Sequence, residues 1–114
     1  MTIQRSEMDS RMSQCVVHGD TIYLAGQVGN GADVTAQTRD MLAEVDRLLA
    51  AAGSSKSRIL SATIWLADIA TFGEMNAVWD AWIDPANPPA RACVEGRLAT
   101  PDYLVEVMII AAKG

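Results

Sequence analysis

Tyr103-Leu104-Val105-Glu106-Val107-Met108-Ile109-Ile110-Ala111-Ala112 reads as a β-strand that is apolar on both of its faces. Successive side chains of a strand point to opposite sides. Tyr103, Val105, Val107, Ile109 and Ala111 therefore line one face, and Leu104, Glu106, Met108, Ile110 and Ala112 the other. A strand with one wet face alternates apolar with polar residues, whereas one covered on both sides does not. The sheet that holds this segment needs cover on two faces.

The rest of the chain supplies cover for one. Ser13–Val17 and Thr21–Ala25 read as a hairpin closed by Gly19 and Asp20. Gly26, Gly29 and Gly31 then open a loop. Asp33 is an N-cap for a helix whose apolar residues, Val34, Thr38, Met41, Leu42, Val45, Leu48, Leu49 and Ala52, recur every three or four positions. Gly53 stops it. Ile59–Leu66 is the third strand. Thr71-Phe72-Gly73-Glu74 has the capping-box spacing and predicts a helix to about Ile83, with Phe72, Met75, Trp79, Trp82 and Ile83 on one side. Pro85, Pro88 and Pro89 end it. Ala90–Leu98 is a strand with Ala92, Val94 and Leu98 on one side and Arg91, Cys93, Glu95 and Arg97 on the other; Thr100-Pro101-Asp102 turns the chain into the final strand. The predicted order is β-β-α-β-α-β-β, an α+β domain with a mixed sheet and both helices on one face. Its second apolar face predicts another copy of the chain as cover.

Composition bounds the function. The 114 residues make one domain, 1–114, with 50% hydrophobic and 20% charged residues. The net charge of −5 and pI near 4.6, without a run of Lys or Arg, argue against nucleic acid or an anionic membrane surface as partner. No apolar stretch approaches the ~20 residues that span a bilayer, and Met1–Asp9 contains no secretory apolar core. Cys15, Cys93 and His18 are too few and too scattered for a disulfide framework or a zinc site, so both thiols read as reduced and the chain as cytoplasmic. Glycines 26, 29 and 31 fit neither dinucleotide nor P-loop spacing, and nucleotide binding is rejected.

Glu106 breaks an apolar face. A buried carboxylate costs several kcal/mol unless paired or neutral, so Glu106 either reaches the rim, pairs with an Arg, or serves proton transfer. Arg91 opens its strand behind Pro88-Pro89-Ala90, which fixes its direction. Its fork suits a small carboxylate, although a solvated strand-end Arg would look the same. Cys93 shares the Arg91 side, as a small filler or as a thiolate nucleophile; no His base is placed to ionise it. His18, at the hairpin turn, is expected to face solvent, and Trp79 and Trp82 to be core or interface residues.

Taken together, Leu24-Ala25-Gly26-Gln27, Asn76 with Trp79, Pro89-Ala90-Arg91-Ala92-Cys93-Val94-Glu95 and Val105-Glu106-Val107 resemble the Rid family, the YjgF-like reactive-intermediate imine deaminases. The resemblance runs from Ser13-Gln14 to Ala112. It implies a chorismate-mutase-like fold and a homotrimer whose sheets line a central barrel, with clefts between subunits. It implies cofactor-free hydrolysis of 2-imino or 2-enamino acids, such as 2-aminoacrylate, to 2-keto acids and ammonia. Carried over, Arg91 would bind the substrate carboxylate. Glu106 would help activate water, oriented by the Cys93 main chain. Gly26 would admit the substrate to the backbone, and Asn76 would support the pocket. Three positions depart from the family's common pattern and reshape that pocket: Met12 and Trp79 where Tyr is frequent, and Ala25 where Ser is common. The alternative from another class is a non-catalytic trimer that binds small carboxylates, or a protein-interaction module.

Overall fold

A computed structural model describes residues 1–114. Its strands are β1 (Ile3–Met8), β2 (Ser13–His18), β3 (Thr21–Leu24), β4 (Ile59–Leu66), β5 (Ala90–Glu95) and β6 (Val105–Ala112), and its helices are α1 (Val34–Ala51) and α2 (Phe72–Trp82). Together the strands form one mixed sheet in the order β1-β2-β3-β6-β4-β5. Only β4 and β5 run parallel; the other neighbours are antiparallel. The α+β class, the mixed sheet and the two helices on one face are as the sequence predicts.

The two-faced strand β6 lies inside the sheet between β3 and β4. Val105, Val107, Ile109 and Ala111 have no solvent exposure. They meet Ile22 and Leu24 of β3, Ala62, Ile64 and Leu66 of β4, and the apolar stripes of both helices in one core. Full burial of a Val or Ile side chain stabilises by about 1.5–3 kcal/mol, so this face of β6 alone anchors the helical layer. The opposite face has no helix. Tyr23, Val94 and Met108 there are 44%, 48% and 42% exposed.

Polar contacts fix the layers. Asp33 caps α1 by accepting from the Ala36 N–H at 2.8 Å. The buried Gln37 donates to the Gly31 and Asp102 carbonyls at 3.1 and 2.9 Å and accepts from the Leu104 N–H at 2.8 Å. One side-chain amide thereby joins α1 to the loop before it and to the entry of β6. Trp82 Nε1 donates to Asp46 Oδ2 at 2.9 Å, tying α2 to α1. At the β2–β3 turn Gly19, at φ +62°, takes the first of two turn positions, which a II′ hairpin reserves for glycine.

Four local expectations are corrected. An extra N-terminal strand, β1, makes the order β-β-β-α-β-α-β-β. Its sequence, Ile-Gln-Arg-Ser-Glu-Met, has no alternation to announce it, because every residue is exposed and it is held by edge pairing with β2. Glu7, at φ +50°, adopts a backbone costly for a side chain with a Cβ, while its carboxylate receives both terminal nitrogens of Arg47 at 3.1 and 2.8 Å. The capping box does not close: the Thr71 hydroxyl turns back to donate to the Asp68 carbonyl at 2.7 Å. β5 ends at Glu95, ahead of Gly96, rather than at Leu98, and β6 starts at Val105 rather than Tyr103.

Two predictions follow from this geometry. A methyl on Gly29 would lie 2.4 Å from the Gln37 carbonyl oxygen and 2.6 Å from the Met41 nitrogen, both backbone atoms, whereas one on Gly73 would meet nothing within 4 Å. Gly29→Ala should therefore destabilise by about 2–3 kcal/mol, and Gly73→Ala should stabilise by about 0.5–1 kcal/mol, both measured by urea unfolding. The Arg47 hydrogen bonds hold the Glu7 carboxyl below its ordinary 4.5. Its contribution is complete above that value and is lost as pH falls through the lower, folded one. Amide protection across β1 should decline at acid pH before that of β6, and in Arg47→Ala it should already be low at neutral pH.

Candidate active site

Two groups of candidate residues emerge, on opposite faces of the sheet. The first lies on the edge strand β5. Arg91 pairs in register with Ala62 of β4, which places it on the helix-covered side. Its guanidinium lies 5.2 Å from the Trp79 ring centroid and 5.8 Å from that of Phe72. Such stacking leaves the planar edge of the fork, with its N–H donors, open. No carboxylate pairs with it. Phe72, Asn76 and Trp79 are spaced four and three residues apart along α2, on one side of the helix. The Asn76 Oδ1 is buried and accepts no hydrogen bond. Cys93, on the Arg91 side of β5, is half-buried against the core. Burial pushes its thiol up from 9.0, with the Arg91 charge pulling in the other direction. Near neutral pH it is a thiol, and a weak nucleophile.

The second group surrounds Glu106, on the helix-free face. Glu106 is opposite Trp65 of β4. Its carboxylate fills the space that a side chain on Gly26 would need: a methyl there would sit 2.3 Å from Glu106 Oε2. Gly26 is held in place by its neighbour. The Gln27 N–H donates to the Val107 carbonyl at 2.7 Å, and the Val107 N–H donates to that of Gln27 at 2.9 Å. The buried Gln27 amide donates in turn to Gln14 Oε1 at 2.8 Å and the Ala25 carbonyl at 3.0 Å. Glu106 itself receives no hydrogen bond from the chain, and its side chain is half-buried. Met12 is exposed in the turn before β2, at the end of the sheet where β3 runs into Gly26.

Arg91, Cys93, Asn76 and Trp79 thus belong to one half-site, and Glu106 and Gly26 to another. Through the β4 register, Arg91 aligns with Ala62 and Glu106 with Trp65, three positions further on. That is ~10 Å along the strands, with a sheet between. One chain does not bring the guanidinium to the carboxylate. Two site residues escaped the sequence reading. Phe72 was absorbed into the apolar stripe of α2, although it shares that stripe with Asn76 and Trp79. Trp65, in a run of strand residues, carries no sign that its neighbour across the sheet is Glu106. His18 is exposed at the hairpin turn, and Trp79 is core, as expected. No helix is long and apolar enough to cross a membrane.

Comparison with known proteins bears on the family and the fold. Residues 2–113 match the family model described as Endoribonuclease L-PSP. A RutC family protein of Haemophilus influenzae is 44% identical over 97% of this chain and 98% of its own length. The RutC family protein YoaB of Escherichia coli is 44% identical over 98% and 99%. The crystal structure of a YjgF family member from Neisseria meningitidis superposes with a TM-score of 0.99 at 45% identity, over 100% of this chain and 97% of that one. A sheet with β6 between β3 and β4, helices on one face and this family match from end to end place the chain in the Rid/YjgF-like family, the group covered by the L-PSP model.

Proposed function

We propose that the protein hydrolyses 2-imino or 2-enamino acids to 2-keto acids and ammonia, in clefts between subunits of a homotrimer. The observation that carries this reading is the separation of two complementary half-sites within one chain. An unpaired guanidinium with its donors exposed suits a carboxylate substrate. An unpaired carboxylate seated on a glycine suits proton transfer. The helix-free face around Glu106 is also the apolar face that lacks cover. Packing it against a neighbour's β5 edge would hide Tyr23, Val94 and Met108 and join one copy's Arg91 to another's Glu106.

The chemistry then asks little of the protein. The carboxylate of the substrate docks in the Arg91 fork, with Asn76 Oδ1 open to an N–H donor. Water adds to C2 of the protonated imine and gives up a proton to Glu106. Glu106 returns that proton to the nitrogen of the resulting carbinolamine, its C–N bond breaks as the hydroxyl gives its proton back to Glu106, and ammonia leaves with the 2-keto acid. Proton transfer by a positioned carboxylate contributes ~10²–10⁴-fold. Cys93 enters through its main chain, in keeping with its raised thiol pKa. The RNA cleavage named in the family model's description fits this chain poorly: it is acidic, its single His18 sits on an exposed turn, and no track of cations follows a phosphate backbone. The small-carboxylate binder remains the competing reading, since Arg91 serves both and only catalysis requires Glu106.

Arg91→Ala should lower deamination of imines generated in situ by an amino-acid oxidase at least ~10-fold, through loss of a charge-assisted contact. Glu106→Gln should also be impaired, and unfolding and refolding the two variants together should restore a fraction of activity that neither shows alone. Wild-type rates in Arg91→Ala would sink the carboxylate site, and absence of complementation would sink the shared cleft. An inactive wild type that still binds 2-keto acids through Arg91 would establish the binder instead.

Gly26→Ala provides an independent check. The displaced atom is the far end of a flexible side chain, so the fold should survive while the Glu106 carboxylate is forced aside. Activity should drop ~10-fold or more, with the melting temperature little changed. Cys93→Ser should retain most activity.

A further inference from the structure

The outer side of the helical layer carries a groove of about 510 Å³ between α1 and α2; no residue of either half-site lines it, and its Trp82 ring lies 5.3 Å from that of Trp79. That volume falls in the range of small-molecule sites. Leu42, Ala77, Ala81 and the Trp82 ring make its walls. Trp82 is fixed by its bond to Asp46, so the indole presents a preformed surface. Two cations, Arg39 and Lys56, also line the groove, and neither forms an ion pair. Lys56 Nζ lies 5.6 Å from the Trp82 ring centroid, which holds its charge at the wall. Glu74 is the one carboxylate in the lining, and it pairs with neither cation.

In a chain of net charge −5, two cations without a direct ion pair border an apolar recess, Lys56 within electrostatic reach of Asp84, and together they are complementary to an anion with a flat apolar body. We propose that this groove binds small amphipathic monocarboxylates: the carboxylate between Arg39 and Lys56, the apolar portion on Trp82, Ala77 and Ala81. A dianion would meet Glu74, and a neutral analogue would leave both cations without a partner. The site is separate from Arg91 and does not depend on the deaminase reading.

The probe is 4-phenylbutyrate, titrated into the ¹⁵N-labelled full chain while the Trp82 indole Nε1–H resonance is followed. A saturable shift of that resonance is expected. The amide analogue 4-phenylbutyramide should bind at least ~10-fold more weakly, because it lacks the charge-assisted contacts. Arg39→Ala with Lys56→Ala should weaken the acid to the level of the amide. Ala81→Leu, an exposed helical position, should fill the recess and abolish binding at unchanged melting temperature. Arg91→Ala should leave the titration as it was. Equal binding of acid and amide, or a shift that disappears with Arg91→Ala and survives Ala81→Leu, would overturn the proposal.

Discussion

Two helices can cover only one face of a six-stranded sheet, and β6 is apolar on both. That mismatch governs the rest of the molecule. On the helix side, Val105, Val107, Ile109 and Ala111 are wholly buried. On the other, Ile110 lies beside Tyr23, and Tyr23, Met108 and, two strands away, Val94 are exposed. A surface of this kind in water is a standing drive toward association. It also gives the carboxylate of Glu106 its setting, an unpaired acid between Leu104 and Met108 on an otherwise apolar strand face.

Much of this was legible from residue order. The lack of polar alternation in β6 announced the uncovered face, and the recurrence of apolar residues every three or four positions from Val34 to Leu49 announced α1 and its buried side. What could not be read were features without periodicity. β1 contributes no side chain to the core, so no pattern betrays it; it exists because the β2 edge offers hydrogen-bond partners and Arg47 reaches Glu7 across forty positions of sequence. The capping residues of α2 looked correct in spacing, yet the Thr71 hydroxyl found a closer acceptor in Asp68. Gln37 gave no sequence signal at all, since a glutamine on a helix reads as solvated until the backbone groups it satisfies are known.

The candidate site was legible as residue types and illegible as geometry. Arg91 and Glu106 stood out because each is a charge where its strand has little reason to hold one. Which face each occupies follows from the pairing of β4 with both β5 and β6, and pairing between distant strands is not encoded locally. Within one chain the two groups therefore lie apart on opposite faces of the sheet. Gly26 illustrates the same point on a smaller scale. Its lack of a side chain matters for the volume it yields to Glu106, fixed by Gln27 one residue away.

The position of β6 bears on how the sheet closes. β3 and β4 do not pair with each other; each pairs with β6, the last of the six strands in sequence order. Until Val105–Ala112 arrives, the sheet exists as two separate pieces, β1-β2-β3 and β4-β5, each with an open edge. The Gln37 bonds to Asp102 and Leu104 must wait for the same segment. The seam of this sheet therefore closes only when β6 docks between β3 and β4. A chain lacking β6 would leave the open edges of β3 and β4 and not a shortened fold, a state suited to self-association.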